Sequence, residues 1–97
     1  DLAEAWRALL VRARMTRHHR VSREELSVRE HMSQILRLLK DARVLEFTEL
    51  FDPARGVAVL VVTLLALLEL ARELLIDITQ SGAFAPIYVR IAYAESA

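Results

Sequence analysis

Between Arg55 and Glu69 the chain carries no charge, and in GVAVLVVTLLALL, Gly56 to Leu68, Thr63 is the one polar side chain. The run is 13 residues long, short of the roughly 18–20 that a membrane span needs. It is also too apolar for an ordinary surface helix, which buries one stripe and leaves the rest to water. A chain of 97 residues with 27% charged side chains must therefore bury this helix on more than one side or offer part of it to a partner.

The rest of the sequence sets the frame for that helix. From Ser27 onward the signals alternate between helix and strand. Ser27-x-x-Glu30 is a capping box that opens a helix with the buried stripe Val28, Met32, Ile35, Leu36 and Leu39, and Lys40 lies near its C-terminal end. ARVLEF, residues 42–47, reads as a strand, and Thr48 as the cap of a one-turn helix, ELF. Asp52-Pro53 then starts the long helix, predicted over about residues 53–73. LLIDITQ, with Leu74, Ile76 and Ile78 on one face, and IYVRIAY, with Ile87, Val89, Ile91 and Tyr93 alternating inward, form a hairpin across SGAFAP. Helix, strand, short helix, long helix and a two-stranded wing are the winged-helix order. The predicted fold is mainly α with a small antiparallel sheet.

Ahead of it, residues 1–26 read as a helical, Arg-rich linker segment, and residues 27–97 as the winged-helix domain. Leu2, Trp6, Leu9 and Ala13 recur at helical spacing. Ser22 and Glu25 form a second capping box, with Val21 and Leu26 as its hydrophobic staple. Six arginines and His18-His19 stand between Arg7 and Arg23 with no acid among them, although the whole chain balances 13 bases against 13 acids. With no global field, net charge selects neither nucleic acid nor membrane. The absence of cysteine leaves no disulfide framework and no thiolate zinc site. The chain opens on Asp1 with no signal-like segment, and reads as a non-secreted piece of a longer, cytoplasmic protein.

The long helix decides what such a domain binds. A DNA-reading winged helix presents Arg, Lys, Asn or Gln on its third helix. On a wheel centred at Glu69, the charges Arg55, Arg72 and Glu73 fall within about 60°. That marks the outward face, whose middle is Ala58, Val62, Leu65 and Ala66. Val57, Leu60, Leu64, Leu67, Leu68 and Ala71 are left for the core. The outward patch offers DNA almost nothing to bond, and SGAFAP carries no base. The surface therefore reads as a protein-docking one, unless residues 1–26 fold back and cover it.

The residues also carry a family resemblance. VVTLLALLELARE, then DITQ, then FAPIYV, together with ELSVREHM, ILRLL and EFTELF upstream, resemble the C-terminal domain of segregation and condensation protein A, the bacterial kleisin. The pattern Q-x-x-x-F-x-x-I is met by Gln80, Phe84 and Ile87; on the long helix Leu64 departs from the resemblance, standing where an aromatic is expected. The resemblance implies a winged helix docked on an ATPase head of an SMC (structural maintenance of chromosomes) dimer. It also implies a nucleoid-associated complex, with segregation and condensation protein B recruited elsewhere on the full-length protein. The head-contacting residues it implies are Arg55, Ala58, Val62, Leu65, Ala66, Glu69, Arg72 and Glu73. Trp6, Arg12, Arg14, Arg17 and Arg20 are a second candidate contact.

Other readings stay open beside this one: a winged-helix DNA binder using the Arg-rich segment, and a weak homodimer through the patch. Catalysis is not expected, because the sequence has no nucleophile–base constellation and no glycine-rich phosphate loop. Neither a metal nor a cofactor is expected, since His18, His19 and His31 have no carboxylates spaced to join them. No base-specific DNA contact and no membrane association are expected either.

Overall fold

The computed structural model describes residues 1–15 and 26–92; among these lie three α-helices, the 3₁₀ turns Phe47–Leu50 and Pro53–Arg55, and one three-stranded sheet. Helix α1 spans Leu2–Arg14, α2 Val28–Ala42 and α3 Val57–Arg72; strands β1, β2 and β3 span Val44–Glu46, Ile76–Gln80 and Ile87–Ile91. The sheet order is β1-β3-β2, antiparallel throughout. This is the winged-helix order: α2 and α3 make the helical core, and β2 with β3 make the wing.

Local chemistry explains most of the element ends. Asp1 accepts from the Glu4 amide at 2.9 Å, and Ser27 from the Glu30 amide at 3.2 Å, each satisfying a helix-start donor that would otherwise lack a partner. Arg43, at φ 71°, ends α2 and turns the chain straight into β1. Along β3, Ile87 and Val89 are buried while Tyr88 and Arg90 face out, the two-residue period of a half-buried strand. Leu45 and Ile78 both lie opposite Val89, so the sheet presents one apolar face. The capping box at Ser22 and Glu25, its staple residue Val21, His18, His19 and Tyr93 lie outside the described residues.

Several boundaries differ from the sequence reading; the strand expected over residues 42–47 is confined to Val44–Glu46, with Ala42 still in α2 and Phe47 in the following 3₁₀ turn. Asp52 does cap, accepting from the Ala54 amide at 3.0 Å, but the turn it starts ends at Arg55. Gly56, at φ 92°, breaks the chain there, so α3 begins only at Val57; that backbone angle suits glycine and resists other residues. Thr48 does not cap a helix. It lies inside the 3₁₀ turn Phe47–Leu50, its hydroxyl donating to Glu46 at 2.8 Å. Leu74 is not on the inner face of a strand but 78% exposed, at φ 62° in the turn that ends α3.

Helix α1, whose relation to the domain the sequence left open, packs on it. Leu9 and Ala13 belong to the same core as Ile35 and Leu39 of α2, Leu60, Leu67 and Leu70 of α3, and Ile87 and Val89 of the sheet. Trp6 meets Phe51 edge-on, ring centroids 5.8 Å apart, and Phe51 in turn tilts against Phe47 at 4.8 Å. Such aromatic pairs add about 0.5–1.5 kcal/mol beyond their buried area. No helix among the described residues is long and apolar enough to cross a membrane.

Candidate interaction surface

Helix α3 is buried on most of its circumference. Val59, Leu60, Val62, Thr63, Ala66, Leu67 and Leu70 are all buried, held chiefly by α2, with α1 and β2 also in contact. What stays exposed is a single stripe: Val57, Ala58, Val61, Leu65 and Leu68, ending at Arg72. Their spacing of three or four residues places them one above another on the helix. Leu65 is 48% exposed and Leu68 45%, so the middle of the stripe is open apolar surface. From Val57 to Leu68 it runs roughly 16 Å at 1.5 Å per residue.

The stripe corrects the face assigned from sequence. Val62 and Ala66, placed outward by the wheel, are 9% and 0% exposed; Val57 and Leu68, placed inward, are 36% and 45% exposed. Ala58 and Leu65 do face outward. The true outward direction is rotated by about 70° at 100° per residue. Two of the charges that set the wheel explain the error. Arg55 precedes the break at Gly56 and so does not share the helix, and half-buried it lines a cavity of about 200 Å³ beside His31 and Gln34 of α2. The Glu69 side chain is only 33% exposed, which puts it at the margin of the outward face. Ala66 is 0% exposed and belongs to the core cluster, so its small side chain is buried and is not part of the open surface.

The charged end of the stripe is internally paired. Arg72 donates to Glu69 through Nε at 3.3 Å and Nη2 at 3.2 Å. These bonds hold the Glu69 carboxyl below its ordinary range, and Glu73, sharing a hydrogen bond with Glu69, is pushed up. Glu73 is exposed and Glu69 partly so, and at such a surface position the pairing contributes little to stability. As a rim the trio carries a formal net charge of one negative unit, one arginine against two glutamates, and leaves the apolar residues to fill the middle of the surface.

The buried side of α3 contains one polar contact that the sequence did not disclose. Thr63 Oγ1 donates to the Val59 carbonyl at 2.8 Å and lies 3.4 Å from Nδ1 of His31, itself 4% exposed. The hydroxyl has one proton, committed to Val59, so toward His31 it accepts and Nδ1 carries the hydrogen. His31 is thereby a satisfied core histidine joining α2 to α3. Among the described residues no group of His, Cys, Asp or Glu is arranged to hold a metal ion.

The wing offers one feature that sequence reasoning passed over as a contact. Phe84 stands 85% exposed at φ 67°, and the Gln80 side chain donates to the Ala85 carbonyl at 2.8 Å to tie the turn. Its sequence signals were an aromatic among the small residues of SGAFAP and a place in the Q-x-x-x-F-x-x-I pattern, neither of which marks it as a contact. Arg90, the base nearest the wing, faces its cross-strand partner Asp77 at 3.7 Å. Of the second candidate contact, Arg12 and Arg14 are exposed on α1 and Trp6 is half-buried against Phe51; Arg17 and Arg20 lie outside the described residues.

Comparison with known proteins gives a consistent result. A family profile described as segregation and condensation protein ScpA matches residues 1–92. Relatives named segregation and condensation protein A include that of Xylella fastidiosa strain 9a5c, 42% identical over 90 residues that cover 93% of this chain and 30% of the relative. That of Coxiella burnetii is 41% identical over 93% of this chain and 34% of its own length, and that of Bacillus velezensis 39% over 92% and 36%. The chain thus spans about a third of the relatives it matches. No solved structure matches it.

Proposed function

Because the chain belongs to the ScpA family of segregation and condensation proteins, we propose that it is the C-terminal winged helix by which the full-length protein docks on an SMC ATPase head. In that role it serves chromosome segregation and condensation as a non-enzymatic part. The observation that carries this reading is the exposed stripe Val57, Ala58, Val61, Leu65 and Leu68 on the helix that a DNA-binding winged helix would place in the major groove. Nothing on the stripe can hydrogen-bond a base edge, and its polar end is already paired. Central apolar anchors with a polar rim are the anatomy of a protein interface.

ATP hydrolysis then belongs to the partner, and segregation and condensation protein B joins through other parts of the full-length protein. Closing the SMC ring is a property of that assembly, to which this domain supplies one of the joints. A nucleoid-associated, cytoplasmic location follows from the same role.

Titration calorimetry with an SMC head fragment tests the reading. Leu65→Asp keeps the far-ultraviolet dichroism and melting temperature of the parent and loses head binding by at least tenfold, since truncating a central anchor already costs about 1–4 kcal/mol. Ala66→Asp, which buries an unpaired charge, unfolds the domain. Full binding by a folded Leu65→Asp variant would sink the proposal. A concentration-dependent mass abolished by Leu65→Asp, with no head binding by the parent, would assign the stripe to a second copy instead.

A further inference from the structure

Helix α1 carries three exposed arginines on the two flanks of its outward side, with Val11 and Met15 exposed between them, and docking through α3 leaves them unused. Arg7, Arg12 and Arg14 are all exposed, and none forms an ion pair among the described residues. Elsewhere three arginines face carboxylates: Arg37 faces Glu30 at 4.0 Å, Arg72 faces Glu69 at 3.2 Å and Arg90 faces Asp77 at 3.7 Å; Arg29 and Arg43 are exposed as well, but they stand singly on other elements. Arg12 and Arg14 lie in the last turn of α1 and suit the negative end of its dipole. Arg7, in mid-helix, gains nothing from that end.

The geometry is that of a fixed surface. The opposite side of α1 is pinned by Leu9 and Ala13 in the core and by Trp6 against Phe51. Arg7 and Arg14, two turns apart, project on one side with roughly 10 Å between them along the axis, and Arg12 projects on the other. The acids of the helix, Asp1 and Glu4, are confined to its first turn. The bases are guanidinium groups, which pair bidentately with phosphate oxygens; the chain has a single lysine, Lys40.

We infer that the outward face of α1 binds the phosphate backbone of double-stranded nucleic acid without reading its sequence. A duplex presents a phosphate every 3.4 Å of axis on each strand, so arginines with this spacing find partners in any register. An acidic protein would need carboxylates matched to the same three positions. Helix α1 contains neither Asn nor Gln for bidentate contact with adenine, which fits backbone contact alone. The inference stands independently of head docking through α3.

Fluorescence anisotropy of the full 97-residue chain with a labelled 30-base-pair duplex of arbitrary sequence tests it. The expected result is binding at 20 mM salt that weakens as salt rises. The combined change Arg7→Gln, Arg12→Gln and Arg14→Gln lowers affinity at least tenfold and flattens the slope of log K against log salt by about 2 to 3, one phosphate per arginine. Arg37→Gln and Arg90→Gln, paired elsewhere, leave binding within twofold. Dichroism checks the fold; if the triple variant has unfolded, Arg7→Gln alone is read, with a slope flattened by about 1. No duplex binding by the parent at 20 mM salt overturns the inference, as does unchanged binding by the folded variant. Tighter binding of a polyglutamate chain on the same three arginines also overturns it, and assigns the face to an acidic protein.

Discussion

Thr63 shows how little a residue's identity says about its surroundings. In the sequence it is the lone hydroxyl in an apolar run; in the fold it is 6% exposed and joins two helices through His31. Because its proton goes to Val59, it is an acceptor for the Nδ1 hydrogen of His31. Thr63→Val removes that acceptor while keeping the shape, and the expected loss is about 1–3 kcal/mol in urea unfolding, the penalty for stranding a buried donor. His31→Leu with Thr63→Val together should cost less than the sum of the two single changes, because the stranded donor is gone as well. Additive losses would mean that the 3.4 Å contact contributes nothing. The histidine's role was unreadable in sequence, since the two residues are 32 positions apart.

Helix α3 shows what an element's own pattern leaves undecided. Its existence was plain from the uncharged run, but its orientation was not, because an apolar helix has no strong polar side to set the wheel. Arg55 and Glu69 were weak guides, one beyond a helix break and the other at the margin. The end of α3 is clearer. The amide of Leu74 donates to the Ala71 carbonyl and that of Leu75 to Leu70, both at 3.0 Å, the paired bonds of a Schellman motif. The motif needs a left-handed residue, here Leu74 at φ 62° rather than glycine. Leu74 is 78% exposed, so Leu74→Gly loses little packing and relieves the left-handed strain. The expected gain is about 0.5–1 kcal/mol in the same urea assay; a loss of stability would show that the leucine packs usefully.

At the scale of the whole molecule, one core draws on α1, α2, α3 and the sheet. The winged-helix order from Ser27 onward was legible because caps, periodicity and the hairpin turn are local signals. The docking of α1 was not, because a helical stripe of Leu9 and Ala13 says that a partner exists without saying which. Leu9 is now 1% exposed, and Leu9→Ala should cost about 2–4 kcal/mol by leaving a cavity between α1 and the domain. Thermal unfolding checks this: a single transition shifted to lower temperature is expected. A variant that melts like the parent would mean that α1 adds no stability to the rest.

The amino-acid sequence by itself determined the elements, their order and the family, since these rest on residue type and short-range spacing. Only the tertiary structure decided which apolar residues of α3 meet water. Val62 and Ala66 are covered while Val57, Val61, Leu65 and Leu68 are left open. The reason is physical: burial on an all-apolar helix is set by where its neighbours pack, and here those neighbours include α1, α2 and β2.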